Sequence, residues 1–456
     1  MEYENLKSNL LENIKKIETL INQGAADSLA KKYILDEANS YGCEVLGITD
    51  SLYIKKGDDP KAILHINIDA RGEYKSINLT ENDDLELSSG RNFYLVNALL
   101  VISSLLKYSA NDFDILITQN NIQKDNRTYS GLSNILRTSN IINLNLRQSN
   151  CIADEFSALI LSNIKVPLER FDPDYSYESY KISLSNLIGG RAGEDIDKVR
   201  LNAIKTLTSF IRKVKSKVDL DITGFEAGDR YDSIPSFGDI YFTVKSEFEN
   251  ALYDIFELYK NELLEKNLKH EPDMDISLLK MSNEEVHPMN ELSYNHLASF
   301  IELLPIGAFS VDNENDQLIS SINLAISRSF ADSIRFIVVY RSLSEEMMNQ
   351  MLEKTNIAMK ISTSELVNSF SIPRWKNKDN YLTEIFESSF FDLTGEHLPV
   401  IKTQYSLDSS IIFNNLDVKM ISLGVEYKQG DDGRYYTKLA DIYKTANLVE
   451  SALSRL

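Results

Sequence analysis

The stretch LIGGRAGEDIDKVRLNAIKTL, residues 187–207, decides which fold this sequence predicts. It places three glycines, Gly189, Gly190 and Gly193, directly before an amphipathic helical pattern that runs on to RKVK at 212–215. Short apolar runs predominate before this stretch, whereas a long helical pattern and the turn-rich segment GFEAGDRYDSIPSFG follow it. We therefore expect a domain boundary near Ser185.

On both sides of this boundary, short apolar runs alternate with helical patterns. Before it, CEVLGI, AILHINI, DILIT and IINLNL predict an open α/β sheet with helices on its faces. After it, DIYFTVK and IRFIVVYRS alternate with long helices, which predicts further βαβ units in a smaller α/β layer. SIPRWKNKDN, around Pro373 and Trp375, predicts a return linker. We expect one α/β domain built from residues 1–184 and 372–456, with residues 185–371 inserted as a second domain.

The composition excludes several classes of partner. With a formal charge of −20 and a pI near 4.8, the mean field of the protein repels nucleic acid and anionic membranes. The two cysteines, Cys43 and Cys151, stand in no CxxC pair, which fits a reducing compartment. The N-terminal segment is charged and amphipathic and has no apolar signal core. These features predict a cytoplasmic protein.

The strand pattern KAILHINIDA, residues 61–70, suggests a functional site. Counting by twos puts His65, Asn67 and Asp69 on one face, and Leu64, Ile66 and Ile68 on the other. A row of His, Asn and Asp at the end of a strand is typical of the rim of a metal or catalytic site.

The stretch 187–207 resembles the Gly-Gly-His-Ser-Gly-x-x-Ile-His-x-Gly-Arg-x-Asn-Ala segment of the zinc dipeptidases, the family that includes aminoacyl-histidine dipeptidase and cytosolic nonspecific dipeptidase. Further segments resemble that family in the same order: AILHINIDA, SSGRNFYLVNALL, ITQNNIQ, INLNLRQ, DSIPS, ELLPIGAFS, SSINLA, IPRWKNKDN, TQYSLDSSI and SLGVEYKQGDDG. The resemblance spans nearly the whole chain. It implies a zinc-exopeptidase-like, three-layer α/β catalytic-type domain, an inserted α/β lid domain that often dimerises, and hydrolysis of dipeptides.

The resemblance also implies that the zinc chemistry has been lost. Of the family's site residues, only the orienting Asp is matched, by Asp69, and the general base falls on Asn121 beside Asn120. The former metal-ligand positions are Asn67, Asn92, Ile122, Asn145 and Asp431. A carboxamide has the shape of a carboxylate, but it is uncharged, is a poor zinc ligand and cannot act as a base at neutral pH. We therefore expect no catalytic residue set to be intact, and neither a bound metal nor any other cofactor.

Amides at these positions have a physical rationale. Carboxylates packed within a few ångströms raise the pKa of one another and need a metal or protons to coexist. Replacing Asp by Asn after metal loss relieves that repulsion and leaves a neutral, amide-lined cleft. The side chains that we expect to bind a ligand there are Arg91, Arg191, Asn202, Gln404 and Lys428.

Each of these residues also has a structural interpretation. Asn120 could serve only a turn, and Asp69 could be a polar strand end. His65 fits a hydrogen-bonded strand histidine better than a ligand, because no partner histidine has metal-type spacing to it.

The remaining candidates have similar alternatives. Asp431 and Asp432 in QGDDG read first as a turn, although together they could hold one hard cation. Arg200 and Asn202 could support the start of a helix, and Arg341 in VVYRSLS reads as structural.

The leading hypothesis is a catalytically inactive, dipeptidase-like protein that acts as a binding or assembly subunit. Its expected partners are a second copy of itself, as a homodimer, another protein, or a small peptide-like ligand. The alternative is an active metallohydrolase or dipeptidase with a rebuilt single-metal site around Asp69 and Asp431, or a metal-free activity. A third possibility is a purely structural subunit that assembles through the edge of the lid.

Overall fold

The computed structural model describes residues 3–22, 29–48, 51–68, 77–79, 84–87, 93–119, 132–148, 150–282, 286–314, 316–407, 409–429 and 435–456. The chain divides into two compact units. The first unit comprises Met1–Phe156, Trp375–Thr403 and Leu407–Leu456, and the second comprises Ser157–Arg374 and Gln404–Ser406.

These divisions differ from the predicted boundaries at 184/185 and 371/372. The chain enters the second unit at Ser157, because the two strands that follow pair with strands of that unit and with none of the first. It leaves after Arg374 and returns for the three residues Gln404–Ser406. The apolar alternation of 158–185 identifies strands, but it carries no information on which sheet they join.

The first unit contains strands from both ends of the chain. They are β1 (Glu44–Ile48), β2 (Ser51–Lys56), β3 (Ile63–Ile68), β4 (Ile77–Leu79), β5 (Asp84–Leu87), β6 (Phe113–Gln119), β7 (Asn140–Asn143) and β8 (Ile152–Phe156), and then β18 (Trp375–Lys376), β19 (Val400–Thr403), β20 (Lys419–Leu423), β21 (Lys428–Gln429) and β22 (Tyr435–Lys438). Its helices are α1 (Tyr3–Asn22), α2 (Leu29–Ser40), α3 (Phe93–Tyr108), α8 (Tyr381–Thr394), α9 (Ser410–Phe413) and α10 (Leu439–Leu453).

Nine of these strands form one mixed sheet in the order β1-β2-β6-β3-β7-β20-β8-β18, with β19 beside β8. The centre of the sheet, from β6 through β3 and β7 to β20, is parallel. Strand β3 is buried along its whole length, as expected for a strand covered on both faces. Leu64, Ile66 and Ile68 pack into the core with α1, α2, α3 and α10, which leaves His65 and Asn67 on the opposite face. A small antiparallel sheet has the order β21-β22-β5-β4.

The second unit has its own sheet. Its strands are β9 (Ala158–Pro167), β10 (Tyr177–Ser185), β11 (Leu220–Ala227), β12 (Gly238–Lys245), β13 (Asp275–Lys280), β14 (Gly307–Asp312), β15 (Gln317–Ser329), β16 (Ser333–Ser342) and β17 (Glu365–Ile372). Its helices are α4 (Ala203–Lys215), α5 (Glu249–Asn267), α6 (Glu291–Leu303) and α7 (Glu345–Ile361).

This sheet has the order β13-β10-β12-β11-β15-β16-β9-β17, with β14 beside β15. Every pairing in it among the described residues is antiparallel, so the predicted βαβ units are wrong. Strands and helices do alternate in this unit, but β11 and β12 pair directly and no crossover helix lies between them. The prediction of a mixed α/β chain with a second α/β unit is confirmed.

The stretch 187–207 contains the N-terminus of α4, which Asn202 caps. The Oδ1 atom of Asn202 accepts hydrogen bonds from the backbone N–H groups of Ile204, at 3.0 Å, and Lys205, at 3.3 Å. Its Nδ2 donates to the Leu324 carbonyl at 2.9 Å, which ties the helix start to β15. Within the described ranges, no helix is long and apolar enough to cross a membrane.

Candidate functional site

Polar side chains gather at the carboxyl ends of the parallel strands at the centre of the first unit. Strand β3 pairs with β7 through His65, which lies opposite Asn143, and with β6 through Asn67, which lies opposite Thr118. Asn145 follows two residues after Asn143. All five side chains are at most 5% exposed. The carboxyl edge of a parallel sheet is where α/β proteins place their ligand sites.

The side chain of Asn145 binds the main chain of Asn67 at two points. Its Oδ1 accepts a hydrogen bond from the Asn67 backbone N–H at 2.6 Å, and its Nδ2 donates to the Asn67 carbonyl at 3.0 Å. A carbonyl oxygen only accepts, so this pair fixes which atom of the amide is nitrogen. The amide continues the β3 and β7 pairing past the point where the main chains separate.

Asn143 has every hydrogen-bonding position occupied. Its Oδ1 accepts from the Asn145 backbone N–H at 3.1 Å and from Ser422 Oγ at 2.5 Å. Its Nδ2 donates to Asn145 Oδ1 at 3.1 Å and to His65 Nδ1 at 2.9 Å. An amide has two acceptor lone pairs and two N–H donors, so this side chain is saturated.

The contacts of Asn143 determine the tautomer of His65. Because Asn143 donates to Nδ1, the ring proton lies on Nε2, which donates to Thr118 Oγ1 at 3.0 Å. The Thr118 hydroxyl in turn donates to Asn67 Oδ1 at 3.1 Å. Complete burial lowers the pKa of His65 to about 3, and Phe413 packs edge-on against the ring at 5.1 Å. These contacts match the interpretation of His65 as a hydrogen-bonded strand histidine.

This network does not fit zinc. The only acceptor atom of Asn145 takes two hydrogen bonds, so it has no lone pair left for a cation. His65 has both ring nitrogens occupied. In the part of the chain that the structure describes, no group of three or more His, Cys, Asp or Glu side chains could hold a metal ion.

The structure brings together two of the predicted metal-ligand positions, Asn67 and Asn145. The other predicted residues of this site lie outside the described residues: Asp69, Arg91, Asn92, Asn120, Asn121, Ile122, Asp431 and Asp432. Lys428, one of the predicted ligand-binding residues, is exposed on β21 of the first unit.

The other predicted ligand-binding residues belong to the second unit. Asn202 caps α4, which is the structural alternative stated above for it. The backbone of Arg191 bridges to Ser233, and its N–H donates to Asp195 Oδ2 at 2.8 Å. Gln404 is buried, and its Nε2 donates to the carbonyls of Leu318, at 3.0 Å, and Ile319, at 2.6 Å.

Sequence reasoning treated Arg341 as structural and missed an unusual feature of it. The side chain lies on β16 and is 5% exposed. Its Nε is buried without a hydrogen-bond partner, and no described residue accepts a hydrogen bond from the rest of the guanidinium. Burial lowers the pKa of Arg341, and the Asp232 carboxylate opposes that shift. No sequence signal distinguishes Arg341, because the same apolar run IRFIVVYRS contains a second arginine, Arg335.

The two units, one with a parallel-centred mixed sheet and the other with an antiparallel sheet, define a peptidase-like fold. The chain is similar over its whole length to solved structures of peptidases. Aminoacylhistidine dipeptidase from Vibrio alginolyticus matches with a TM-score of 0.65 at 15% identity, over 98% of this chain and 96% of that one. A tripeptidase from Staphylococcus aureus matches with a TM-score of 0.55 at 11% identity, over 100% of both chains.

A metallo-carboxypeptidase from Sulfolobus solfataricus matches with a TM-score of 0.50 at 12% identity, over 99% of both chains. No protein-family model matches the sequence, and no curated protein matches it either. Identities this low show a shared fold. The resemblance to dipeptidases found in the sequence is therefore confirmed as a resemblance of fold.

The pairing of Asn145 predicts the effect of restoring an acid there. Asn145→Asp removes the donor to the Asn67 carbonyl and places a buried carboxylate against that oxygen. We expect the first unit to lose roughly 3 kcal/mol or more of unfolding free energy at pH 7, measured by denaturant unfolding. Asn415→Asp is the matched control, because Asn415 is exposed in the same unit. Equal stability of the two variants would contradict the pairing.

The burial of His65 predicts a pH dependence. The unfolded chain protonates this ring below about pH 6.5, whereas the folded chain does so only near pH 3. The stability that depends on neutral His65 is therefore present above pH 6.5 and is lost as the pH falls towards 3. Between pH 6 and 4, the unfolding free energy of wild type should fall more steeply than that of His65→Gln, by about 1.4 kcal/mol per pH unit.

The control for this measurement is His397→Gln, since His397 is exposed in the same unit. Its pH slope should equal that of wild type. A His65→Gln slope equal to wild type would show that the ring is protonated in the folded protein.

Proposed function

We propose that this protein keeps a peptidase-like fold without dipeptide hydrolysis and acts as a binding or assembly subunit. One observation carries the proposal: the acceptor oxygen of Asn145 is fully used in pairing with the main chain of Asn67 and with the Asn143 amide. A zinc ligand must offer an unshared electron pair in a fixed direction. This side chain holds β3 to β7 and offers none.

Charge supports the same conclusion. Structural and catalytic zinc ions are held by thiolates, neutral imidazoles with a free nitrogen, or carboxylates. At the two former ligand positions that are described, the side chains are uncharged amides, and the nearest imidazole has no free nitrogen. Asn67 stands where the resemblance places a histidine ligand and Asn145 where it places an aspartate, so the second replacement removes a negative charge from this edge of the sheet.

Arg341 supports a binding role. A buried guanidinium without hydrogen bonds costs several kcal/mol, which the Asp232 carboxylate offsets in part and the anion of a bound ligand would offset further. The adjacent Gln404 backbone contributes to the same region, since a Cβ on Gly193 would lie 3.4 Å from the Gln404 carbonyl and 3.5 Å from Arg341 Nε. The carboxylate of a small peptide-like ligand has the charge and geometry that a guanidinium binds best. Assembly, as a homodimer or with another protein, is the other form that this role can take.

Metal analysis tests the loss of chemistry. We expect the protein, purified with added zinc and dialysed, to hold fewer than about 0.1 zinc ions per chain, because the site lacks the ligands that zinc requires. We also expect no hydrolysis of aminoacyl-histidine dipeptides above the buffer rate with zinc, manganese or cobalt. Elemental analysis and amino-acid release are the measurements.

Two zinc ions per chain together with hydrolysis would overturn the proposal. One cation per chain, with hydrolysis that Asp69→Asn abolishes, would instead support the rebuilt single-metal hydrolase around Asp69 and Asp431. Neither aspartate lies within the described residues.

A stability measurement tests the role of Arg341. An arginine kept for binding should cost stability, so Arg341→Met should raise the unfolding free energy of the second unit by about 1 kcal/mol or more. Arg328→Met is the matched control on β15. The Arg328 guanidinium donates to the carbonyls of Ala227, at 3.0 Å, and Gly228, at 2.6 Å. That variant should therefore lose stability, and a loss of equal size in Arg341→Met would assign Arg341 a structural role.

A further inference from the structure

A cavity of about 360 Å³ lies within the second unit, between α4 and α5 and beside the start of β14. Cavities of this size accommodate small organic molecules. It is lined by none of the former metal positions, and Arg341 does not line it either. Its binding capacity is therefore independent of the lost zinc chemistry.

The charges around this cavity are not balanced. Arg200, Lys205 and Lys266 line it, and none of the three forms an ion pair or hydrogen bond through its side chain with the described part of the chain. Arg200 Nε is buried without a partner. Lys213 also lines the cavity, but its Nζ is paired with Glu262 at 2.6 Å. Three unpaired cations on one cavity are unexpected in a chain with a formal charge of −20.

Asn323 supplies an independent indication of a ligand. Its side chain lines the same cavity and is 1% exposed. Its Nδ2 donates to the Ser233 carbonyl at 2.8 Å, but its Oδ1 is buried and accepts no hydrogen bond. Leaving a buried acceptor without a hydrogen bond lowers the free energy of unfolding, and a donor from a bound molecule would remove that cost.

The remaining wall is largely apolar. Phe210, Leu263 and Ile306 contribute to it, so the ligand needs a carbon body as well as charge. Asn202 lines the cavity too, but its Oδ1 already caps α4. The groups in the wall that suit an anionic ligand are thus the three cations, and the Asn323 amide oxygen can accept a hydrogen bond from it.

We propose that this cavity binds a small organic phosphate ester that carries a free hydroxyl or amino group. The phosphate dianion meets Arg200, Lys205 and Lys266, since a guanidinium binds phosphate oxygens in pairs and lysines add point charges. The hydroxyl or amino group donates to Asn323 Oδ1. This inference goes beyond the proposed loss of peptidase activity and does not depend on it.

Thermal unfolding of the full chain with glycerol 3-phosphate as the probe tests the proposal. At constant ionic strength, the unfolding temperature of the wild-type second unit should rise with probe concentration and then saturate, as it does when a ligand binds only the folded state. Arg200→Gln/Lys205→Gln should raise the dissociation constant at least about tenfold. Lys266→Glu, at an exposed position, should weaken binding without threatening the fold.

The charge-matched control is Lys354→Gln/Lys360→Gln on the exposed face of α7, which should bind as wild type does. Glycerol without phosphate should produce no saturable rise. The proposal is overturned if wild type shows no saturable rise with glycerol 3-phosphate, if glycerol alone gives the same rise, or if Lys266→Glu and the double pocket variant bind the probe as tightly as wild type.

Discussion

The paired hydrogen bonds between the Asn145 amide and the Asn67 main chain are the constraint on which the centre of the first unit depends. The main-chain pairing of β3 and β7 ends at His65 and Asn143. Beyond that point, two backbone groups of a buried strand would lack partners, which a folded protein tolerates poorly. A single side-chain amide satisfies both of them, and a carboxylate could satisfy only the N–H.

The rest of the network follows from this pairing. Asn143 donates to the side chain of Asn145 and to His65, and the second bond fixes the tautomer of His65. His65 then donates to Thr118, whose hydroxyl donates to the side chain of Asn67. Strands β3, β6 and β7 are thereby joined by side chains as well as by backbone, and Ser422 adds β20. Buried networks of this kind are stabilising only when every member is satisfied, as these members are. Among the described residues of this edge, the networked side chains are uncharged and satisfy one another.

The sequence predicted local and compositional features well and long-range pairing poorly. The two faces of KAILHINIDA and the helix that ends in RKVK follow from apolar periodicity, although that helix begins at Ala203 and not at Asp195. The peptidase-like fold follows from the resemblance of ordered segments to a known family. The entry into the second unit at Ser157 and the antiparallel pairing of β11 with β12 depend on which distant strands meet. Apolar periodicity does not indicate which strands pair, because a strand would bury the same side chains in either sheet.

The same limit explains what the sequence said of the site. Asn67 and Asn145 could be singled out by position in a family pattern, but their mutual hydrogen bonds could not. Arg341 and Asn323 appear unremarkable in sequence, since a buried charge and an orphaned amide oxygen are recognised only once their neighbours are known. The cavity between α4 and α5 gathers residues from five separate segments, so no local motif marks it.

The brief return of the chain to the second unit at Gln404–Ser406 bears on the order of synthesis. Residues 157–374 form a continuous segment and emerge from the ribosome before the first unit can close, because α10 must still be made to pack against α1 and α3. Contacts between distant segments form late, after their loop-closure entropy has been met. Gln404 then donates hydrogen bonds to the carbonyls of Leu318 and Ile319, two residues that are synthesised before it. The three-residue return can therefore form only after the segment 157–374 that it joins has been synthesised.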